Sequence, residues 1–505
     1  LSGNAQLLLF NALTMKPIDA LFKNDNAIIP FTTKKGQSAR LVWDIVIPEG
    51  IGAVTYRVVA KAENFTDGEE MALPILTNRM LVTESMPLPS KGIGTKDFKF
   101  TKLTNSSSST LKHHKLTLEY TSNPAWYAIQ AMPYMMEYPY ECAEQTFTRY
   151  YSNSLASSIV NSSPKIKAVF DNWKQQSPEA FMSNLEKNQE LKSLLLQETP
   201  WVLNAQDEGE RKKRVALLFD LNKMDNELTK AMRKLQKAQV SNGGWPWFPG
   251  MPESRYITQH IITGMGHLDN LGVKNVRENA EVWKMVKKGV GYLDARLVED
   301  YEKTKKNSPN YMNEQHIGQL QIQYLYARSY FKDLPMNSKL KEAVAYYQEQ
   351  AKKYWMKFSI YTEGMIALEA HRFGIEKLPQ QILASIKERS ILHEELGMYW
   401  KDIIGGYYWY QAPIETQALL IEAFDEVNND QPAVEDMKVW LLKQKQTTDW
   451  KTTKATAEAC YALLLKGTEL LTNDEMVEIK VAGKLIDPIA LGAKVEAGTG
   501  YFKTS

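Results

Sequence analysis

The chain has 505 residues, a net charge of +2 and two cysteines, Cys142 and Cys460. This length accommodates about two to four domains with a large core, and the balanced charge excludes a basic surface for nucleic acid or an anionic membrane. Two cysteines exclude the disulfide framework of a small secreted domain, although one bridge between them stays compatible with the composition.

The first 120 residues have the alternating pattern of β-strands. Apolar side chains stand at every second position over residues 41–47 and again over residues 54–60, with Asp44, Thr55 and Arg57 among the residues between them. Turn residues follow at 48–50 (Pro-Glu-Gly) and at 67–68 (Asp-Gly). We predict an antiparallel β-sandwich over residues 1–90.

A second β-region follows a serine-rich loop at residues 104–110. Alternation over residues 116–120 predicts a strand, on which His113 and His114 just before it would face opposite sides, so no metal site is expected. Similar alternation returns only at residues 477–481. We therefore predict one small β-domain interrupted by a helical domain, with boundaries at 91–123, 124–471 and 472–505.

The region between these strands has the 3.6-residue period of amphipathic helices. We predict helices near 142–160, 178–196, 207–220, 225–240, 255–271, 276–298, 312–332, 337–356, 360–373, 377–390, 414–427, 432–445 and 452–466. An aromatic loop followed by a helix that opens with a hydroxyl residue occurs three times, before Thr258, Thr416 and Thr456. This repeat predicts an α/α toroid, in which alternate helices line an inner ring.

One short segment combines a cysteine with a glutamine at helical spacing. Pro139 disfavours helix before it, so the helix should begin at or just after Cys142. Cys142 and Gln145 would then lie on one face, with Cβ atoms roughly 5–6 Å apart. The amide groups of that turn should lower the thiol pKa, and the sulfur could displace ammonia from Gln145 to form an internal thioester. The alternative is a small buried apolar cysteine.

The segment Tyr-Pro-Tyr-x-Cys-x-Glu-Gln-Thr, residues 138–146, resembles the thioester signature of the alpha-2-macroglobulin and complement thioester-protein family, especially its bacterial branch. Cys142, Glu144 and Gln145 match that signature residue for residue. Glu141 and Ala143 stand where the family commonly has glycine, and Glu141 is expected to place a carboxylate beside the sulfur, opposing thiolate formation.

The resemblance implies a macroglobulin-like sandwich, then a toroidal thioester domain inserted in a small β-domain. It also implies a protease trap of the bacterial cell envelope, periplasmic or extracellular, in which the thioester acylates lysine amines of a captured protease. Such a trap acts once and is not a turnover enzyme. No cofactor, metal or nucleic acid is expected, and the other partners are further domains of a longer chain. The chain begins at Leu1 and has neither a signal peptide nor an apolar stretch long enough to span a bilayer, so we expect a soluble piece of a larger protein. On this expectation the missing targeting segment says nothing about where the larger protein lies or whether a membrane anchors it.

A thioester persists only where water is excluded, and large aromatic side chains exclude water well. We expect five aromatic residues to shield it, with Met132, Met135 and Met136 filling the same pocket; the five are Tyr138, Tyr140, Trp247, Phe248 and Tyr408. The alternatives are that these aromatics only cap the helical core, or that they stack on sugars.

The acceptor is predicted from the histidines. In the complement branch a toroid histidine directs transfer to hydroxyls, and the corresponding place here, residues 399–401, has none. His393, His260 and His267 are weaker candidates, so amines are the predicted acceptors.

Two other functions stay open. A carbohydrate-active enzyme on a toroid would use paired carboxylates, for which Asp402 and Glu415 are candidates. A thioester adhesin would couple covalently to host or cell surfaces instead of to a protease.

Overall fold

The computed structural model describes residues 1–75, 94–107, 118–121, 125–162, 221–403, 405–406, 408–445, 449–465, 478–486 and 501–504, with the isolated residues 82, 84, 86, 88, 111, 113 and 116. The chain divides into two compact units. One holds residues 1–82, and the other holds the remaining described residues. The helices predicted at 178–196 and 207–220, His114 and Tyr407 lie outside the described residues.

The first unit contains one four-stranded antiparallel sheet in the order β2-β1-β3-β4. Its strands are β1 (Ser2–Asn11), β2 (Ile28–Thr32), β3 (Ala53–Ala62) and β4 (Phe65–Pro74). Leu7, Leu9, Phe22 and Val54 form the centre of its core. A second sheet, which a sandwich requires, is not among the strands described.

Two local predictions in this unit are wrong. Residues 41–47 form no strand, although the side chains of residues 41–46 alternate in exposure. Isolated hydrogen bonds, and not a strand ladder, hold this segment, and in one of them the Trp43 indole donates to the Ala27 carbonyl at 3.0 Å. Residues 67–68 form no turn, since both pair within β4, and the hairpin turns instead at Glu63, with φ of 52°. A Cβ at Gly68 would lie 2.9 Å from the Val58 carbonyl oxygen, so this glycine permits close strand approach.

The second unit has short strands and many helices. Its first elements are the turn α1 (Thr101–Thr104) and the strand β5 (Leu118–Thr121), which begins two residues later than predicted. Three hairpin pairs follow along the chain: β6 (Trp245–Pro246) with β7 (Glu253–Ser254), β8 (Ile391–His393) with β9 (Gly397–Tyr399), and β10 (Ile479–Val481) with β11 (Lys484–Ile486). The last strand, β12 (Tyr501–Thr504), pairs antiparallel with β5.

The described helices after β5 agree with most of the predicted ones. They are α2 (Ala125–Glu137), α3 (Ala143–Ser162), α4 (Leu221–Ala238), α5 (Arg255–Asn270), α6 (Asn275–Glu278), α7 (Ala280–Asn307), α8 (Gln319–Ser329), α9 (Ser338–Tyr354), α10 (Ile360–Arg372), α11 (Leu378–Glu388), α12 (Pro413–Asn428), α13 (Gln431–Gln444) and α14 (Thr453–Leu464). Helix α2 was not predicted, and it contains Pro133. The helix expected at 276–298 is broken at Asn279, whose side chain caps α7, and residues 312–318 are not helical.

Six helices contact one another in a closed order. Each of α3, α5, α8, α10, α12 and α14 packs on the next, and α14 packs on α3. Other helices lie against them: α2 on α14 and α3, α4 on α3, α7 on α5, α11 on α10 and α12, and α13 on α12. Residues 257–268 of α5 are all buried, as are residues 415–424 of α12. Such helices are surrounded by neighbours on every side.

Glu422 draws these helices together. Its carboxylate accepts hydrogen bonds from the hydroxyls of Tyr326, Tyr330 and Tyr461 at 2.5–2.6 Å and from Arg372 at 2.7 Å. The five residues come from α8, α10, α12 and α14. A fully satisfied buried network of this kind fixes the relative positions of the helices that contribute to it.

The three predicted copies share a buried tryptophan. Each donates its indole N–H to a carbonyl in the last turn of a preceding helix, and they are Trp245 (to Leu235, 2.9 Å), Trp400 (to Ile386, 2.7 Å) and Trp450 (to Leu441, 2.7 Å). In the second copy this tryptophan precedes the predicted aromatic loop, whose own Trp409 lies partly exposed, beside Tyr256.

Among the described helices, none is both long enough and apolar enough to cross a lipid bilayer.

The buried carboxyl of Glu369 in α10 gives a test of the helical unit. One oxygen accepts from Gln348 at 3.1 Å and the other has no partner, and burial raises its pKa to about 8. The unfolded chain releases this proton near pH 4.5, whereas the fold holds it to about pH 8. Stability should therefore fall as pH rises through that window.

We expect Glu369→Gln to stabilise the unit at pH 8 by about 1–3 kcal/mol and to change it little at pH 4. Thermal unfolding followed by far-ultraviolet circular dichroism at both pH values measures this. Glu388→Gln, which replaces an exposed carboxyl on the neighbouring helix α11, is the matched control. Equal behaviour of the two variants would contradict the assignment.

Candidate functional site

Helix α3 begins where the position of Pro139 predicted. Its first residue is Ala143, and the first backbone bond of the helix runs from Thr146 N–H to the Cys142 carbonyl at 2.9 Å. Cys142 is therefore the residue that caps the helix. Backbone N–H groups in the first turn of a helix have no partner within it, so they need partners from elsewhere.

The side chain of Gln145 folds back onto Cys142. Its Oε1 accepts the Cys142 backbone N–H at 3.3 Å, which is one half of the capping-box arrangement. The carboxamide of Gln145 thus lies on the Cys142 side of the turn.

The Cys142 thiol is buried, with 7% of the residue exposed. Burial raises its pKa, more than hydrogen bonds from the backbone N–H groups of Gln145 and Glu144 lower it. The backbone N–H groups of the turn lower this pKa, as expected, but desolvation outweighs them, so the pKa of Cys142 is raised. Cys142 and Cys460 are both free thiols, and Cys460 contacts the Ala128 carbonyl at 3.5 Å, so no disulfide joins them.

Glu144 is held by two hydroxyl groups. Thr148, one turn along α3, donates to it at 3.1 Å, and Thr453 of α14 lies 2.9 Å and 3.2 Å from its two oxygens. Burial raises the pKa of Glu144, and these two donors lower it less than burial raises it. Thr453 was not a predicted site residue.

Glu141 does not act on the sulfur as expected. Its carboxylate is exposed and pairs with Lys234 of α4 and, at 3.5 Å, with Arg149 of α3. Lys234 lowers the pKa of Glu141 most. The carboxylate whose charge raises the pKa of Cys142 is Glu144.

Tyr138 and Trp247 are the least exposed of the five predicted aromatics. The ring of Tyr138 packs between those of Tyr134 and Tyr140, at 5.5 Å and 5.7 Å between centroids. Burial raises the Tyr138 pKa, and the charges of Tyr140, Glu144 and Cys142 add to the shift. Trp247 brings its loop to the helix end, where its carbonyl accepts the Ala143 N–H at 2.9 Å.

The other three predicted aromatics are more exposed. Tyr140 is 61% exposed, Phe248 50% and Tyr408 55%, and Tyr408 stacks on Tyr410 at 5.3 Å. Their shielding role stays a prediction. The methionines Met132, Met135 and Met136 are buried among the helices.

A row of aromatic rings that extends from the first loop was missed. Trp247 stacks on Tyr256 at 5.9 Å, Tyr256 packs on Trp409 at 5.3 Å, and Trp409 meets Tyr361 edge-on at 6.1 Å. Three separate segments of the sequence supply this row. The sequence repeat indicated only the tryptophans of the aromatic loops. Tyr256 and Tyr361 were missed because they lie in the first turns of helices α5 and α10.

The histidine candidates are poorly suited to proton transfer at a surface site. His260 is buried against Phe147 at 5.8 Å, and burial lowers its pKa to about 3. His267 stacks on Tyr461 at 3.8 Å, and burial lowers its pKa to about 4. His393 is exposed, and its Nδ1 accepts the Glu395 N–H at 3.1 Å.

The paired-carboxylate alternative and a metal site gain no support. Glu415 is buried against Lys454 of α14 at 3.2 Å, whereas Asp402 is exposed in a turn. In the part of the chain that the structure describes, no group of three or more potential metal ligands occurs.

No protein-family profile matches the sequence, and no curated protein matches it. Solved structures similar to the chain are bacterial alpha-2-macroglobulins. Native Escherichia coli alpha-2-macroglobulin matches 92% of this chain at 12% identity with a TM-score of 0.42, over 24% of its own length. A native E. coli structure that spans domain MG7 to the C-terminus matches at 12% identity and a TM-score of 0.41, over 60% of its length.

A third similar structure is Salmonella alpha-2-macroglobulin reacted with methylamine, at 13% identity and a TM-score of 0.37. The match covers 92% of this chain and 25% of that one. The chain therefore spans less than two thirds of each of these three proteins.

The burial of Cys142 predicts slow alkylation. In a Gln145→Ala variant, which has no acyl partner for the sulfur, we expect iodoacetamide at pH 7 to modify Cys142 at least about 10-fold more slowly than free cysteine, since the thiol is desolvated. Peptide mass mapping follows each cysteine separately. Cys460, with no exposure, is the internal reference and should react only after unfolding. Cys142 reacting at the rate of free cysteine would contradict the described site.

Proposed function

We propose that this chain is the thioester-containing section of a bacterial alpha-2-macroglobulin-like protease trap. The observation that carries the proposal is the contact between the Gln145 Oε1 and the Cys142 N–H at 3.3 Å, beside a buried thiol. It places the carboxamide beside the cysteine in the Cys-x-Glu-Gln order of the thioester signature.

The bond itself would form by attack of the sulfur on Cδ of Gln145. The Cδ–N bond breaks and ammonia leaves, so the protein loses the mass of one ammonia. Backbone N–H groups of Glu144 and Gln145 lower the pKa of Cys142 and so favour its anionic form during the step. Burial then protects the product from water.

The proposed architecture is an α/α toroid inserted in a small β-domain, after a macroglobulin-like sandwich at residues 1–90. The closed order of six helices supports the toroid. The pairing of β5 with β12, which lie before and after the helices, supports the insertion and the boundaries 91–123, 124–471 and 472–505.

In the intact protein, a protease would cleave a bait segment, and the resulting rearrangement would expose the thioester. A lysine amine of the protease then attacks Cδ of Gln145, and Cys142 leaves as a thiol. The chain acts once, in the periplasm or outside the cell. Amines are the proposed acceptors, because residues 399–401 hold no histidine and because His260 and His267 are buried.

Intact mass spectrometry tests the proposal. We expect a mass short by one ammonia, and methylamine should then add at Gln145 with release of the Cys142 thiol. Cys142→Ala should abolish both signals, whereas Cys460→Ala, at the other buried cysteine, should keep them. A full mass with no methylamine addition in fresh wild-type protein would contradict it. If the thioester is present, the identity of captured partners separates a protease trap from an adhesin.

Tyr138 provides a second test, because it precedes Cys142 by four residues and its ring packs with those of Tyr134 and Tyr140. Tyr138→Ala should admit water and shorten the half-life of the thioester at pH 8 about 10-fold, since burial supplies the protection. Phe248→Ala, which removes a half-exposed ring, should have a smaller effect. Thiol release measured with a chromogenic disulfide gives the rates. An unchanged half-life in Tyr138→Ala would contradict the shielding role.

A further inference from the structure

Glu141 stands directly before Cys142, and three contacts hold it and its neighbour Tyr140. Lys234 of α4 and Arg149 of α3 bind the same carboxylate oxygen of Glu141, with Arg149 at 3.5 Å. Arg149 also donates to the Tyr140 carbonyl at 3.2 Å. Two helices therefore hold the two residues that precede the cysteine, although the carboxylate itself is exposed.

The helix that supplies Lys234 also holds the loop on the other side of Cys142. The next residue of α4 accepts the Trp245 indole N–H with its carbonyl at 2.9 Å. Two residues further along that loop, the Trp247 carbonyl accepts the Ala143 N–H at 2.9 Å. Together with the carboxylate pairs, these contacts form a closed circuit from α4 through the motif and back to α4. The peptide unit that carries the Cys142 N–H is therefore held from both sides.

The Cys142 N–H donates to Oε1 of Gln145 at 3.3 Å. In the proposed thioester this oxygen is the carbonyl oxygen, and it gains negative charge when an amine adds to Cδ. A backbone N–H that points at such an oxygen stabilises the charge, provided that its direction is fixed before the reaction. Hydrogen bonds of this kind are often long in the resting state and shorten during the reaction. The orientation of the Cys142 N–H therefore bears on the rate of acyl transfer.

We propose that Glu141 is a positioning residue whose ion pairs orient the Cys142 N–H to stabilise the oxyanion formed during acyl transfer, a role that rests on the proposed thioester. The amine nitrogen forms its bond to Cδ of Gln145, and the carbonyl π electrons move to Oε1. The carbonyl then re-forms and the Cδ–Sγ bond breaks. The nitrogen gives its extra proton to water, and the departing thiolate takes a proton from water. The products are an amide and a thiol.

The experiment measures the rate constant for methylamine addition at low salt, normalised to the fraction of molecules whose mass shows an intact thioester. We expect Glu141→Gln to lower it about 5-fold and Lys234→Met about 3-fold, since exposed ion pairs are weak and Arg149 still binds the carboxylate in the second variant. Lys234→Arg, which keeps the cation, should recover most of the rate lost in Lys234→Met. The double variant should be no slower than Glu141→Gln alone, because both changes open one contact. An unchanged or faster rate in Glu141→Gln would overturn the role.

The infrared band of the thioester carbonyl reports on the hydrogen bond itself. Protein labelled with carbon-13 at Cδ of glutamine gives this band in the difference between spectra taken before and after methylamine addition. We expect the band to move to higher wavenumber in Glu141→Gln, because a weaker hydrogen bond polarises the carbonyl of Gln145 less. A slower rate without this movement would mean that Glu141 does not act through the Cys142 N–H, and would overturn the positioning role.

Glu227→Gln is the matched control. Glu227 is a partly exposed carboxylate of α4 that pairs with Lys230 at 2.7 Å, three residues along the same helix. Its loss removes an ion pair from α4 without removing a contact to the motif. Both the rate constant and the carbonyl band should stay at their wild-type values. A loss of rate equal to that of Glu141→Gln would overturn the proposal.

Salt tests the same contact in the unaltered chain. At about 1 M salt, where screening sets in within about 3 Å, exposed ion pairs are weakened. The wild-type rate constant should fall toward that of Glu141→Gln, whose own rate constant should change little. The same salt dependence in both proteins would overturn the role. This series still decides if Glu141→Gln fails to form the thioester.

The mass of the wild-type protein separates this inference from the function beneath it. If wild-type protein lacks the deficit of one ammonia, the proposed thioester fails and the role of Glu141 fails with it. If the deficit is present, and Glu141→Gln has the wild-type rate constant and carbonyl band, only the positioning role is overturned.

Discussion

The site depends on one constraint, which is that the first turn of a buried helix has backbone N–H groups without partners inside the helix. At the start of α3 two of them find partners outside the helical pattern. The Gln145 side chain accepts from the Cys142 N–H, and the Trp247 carbonyl accepts from the Ala143 N–H. Satisfying these donors brings the carboxamide to Cys142 and docks the aromatic loop on the motif.

The same arrangement explains why the thiol is not a strong acid. A helix end lowers a thiol pKa when the sulfur is hydrated, but here Cys142 is buried. Desolvation then dominates, and the thiol of Cys142 is less acidic than an exposed one.

The six helices that contact one another in a closed order are held together by a buried hydrogen-bond network. At its centre, the Glu422 carboxylate accepts from three tyrosine hydroxyls and from the Arg372 guanidinium, with every donor at 2.5–2.7 Å. A paired buried charge with such a complete set of donors resists displacement. The positions of Thr453 relative to Glu144, and of Trp247 relative to Ala143, therefore rest on a fixed frame.

The sequence by itself determined the helical period, the start of α3 after Pro139, and the pairing of Cys142 with Gln145 on one turn, because all three follow from local spacing. It failed where contacts are nonlocal. Alternation at residues 41–47 reports extended backbone and cannot say whether a neighbour pairs with it, and Gly68 serves close packing within a strand. Only the tertiary structure decided the partners of Glu141, whose carboxylate pairs with Lys234 and Arg149. It also brought Thr453 to Glu144, across 309 residues that no local pattern connects.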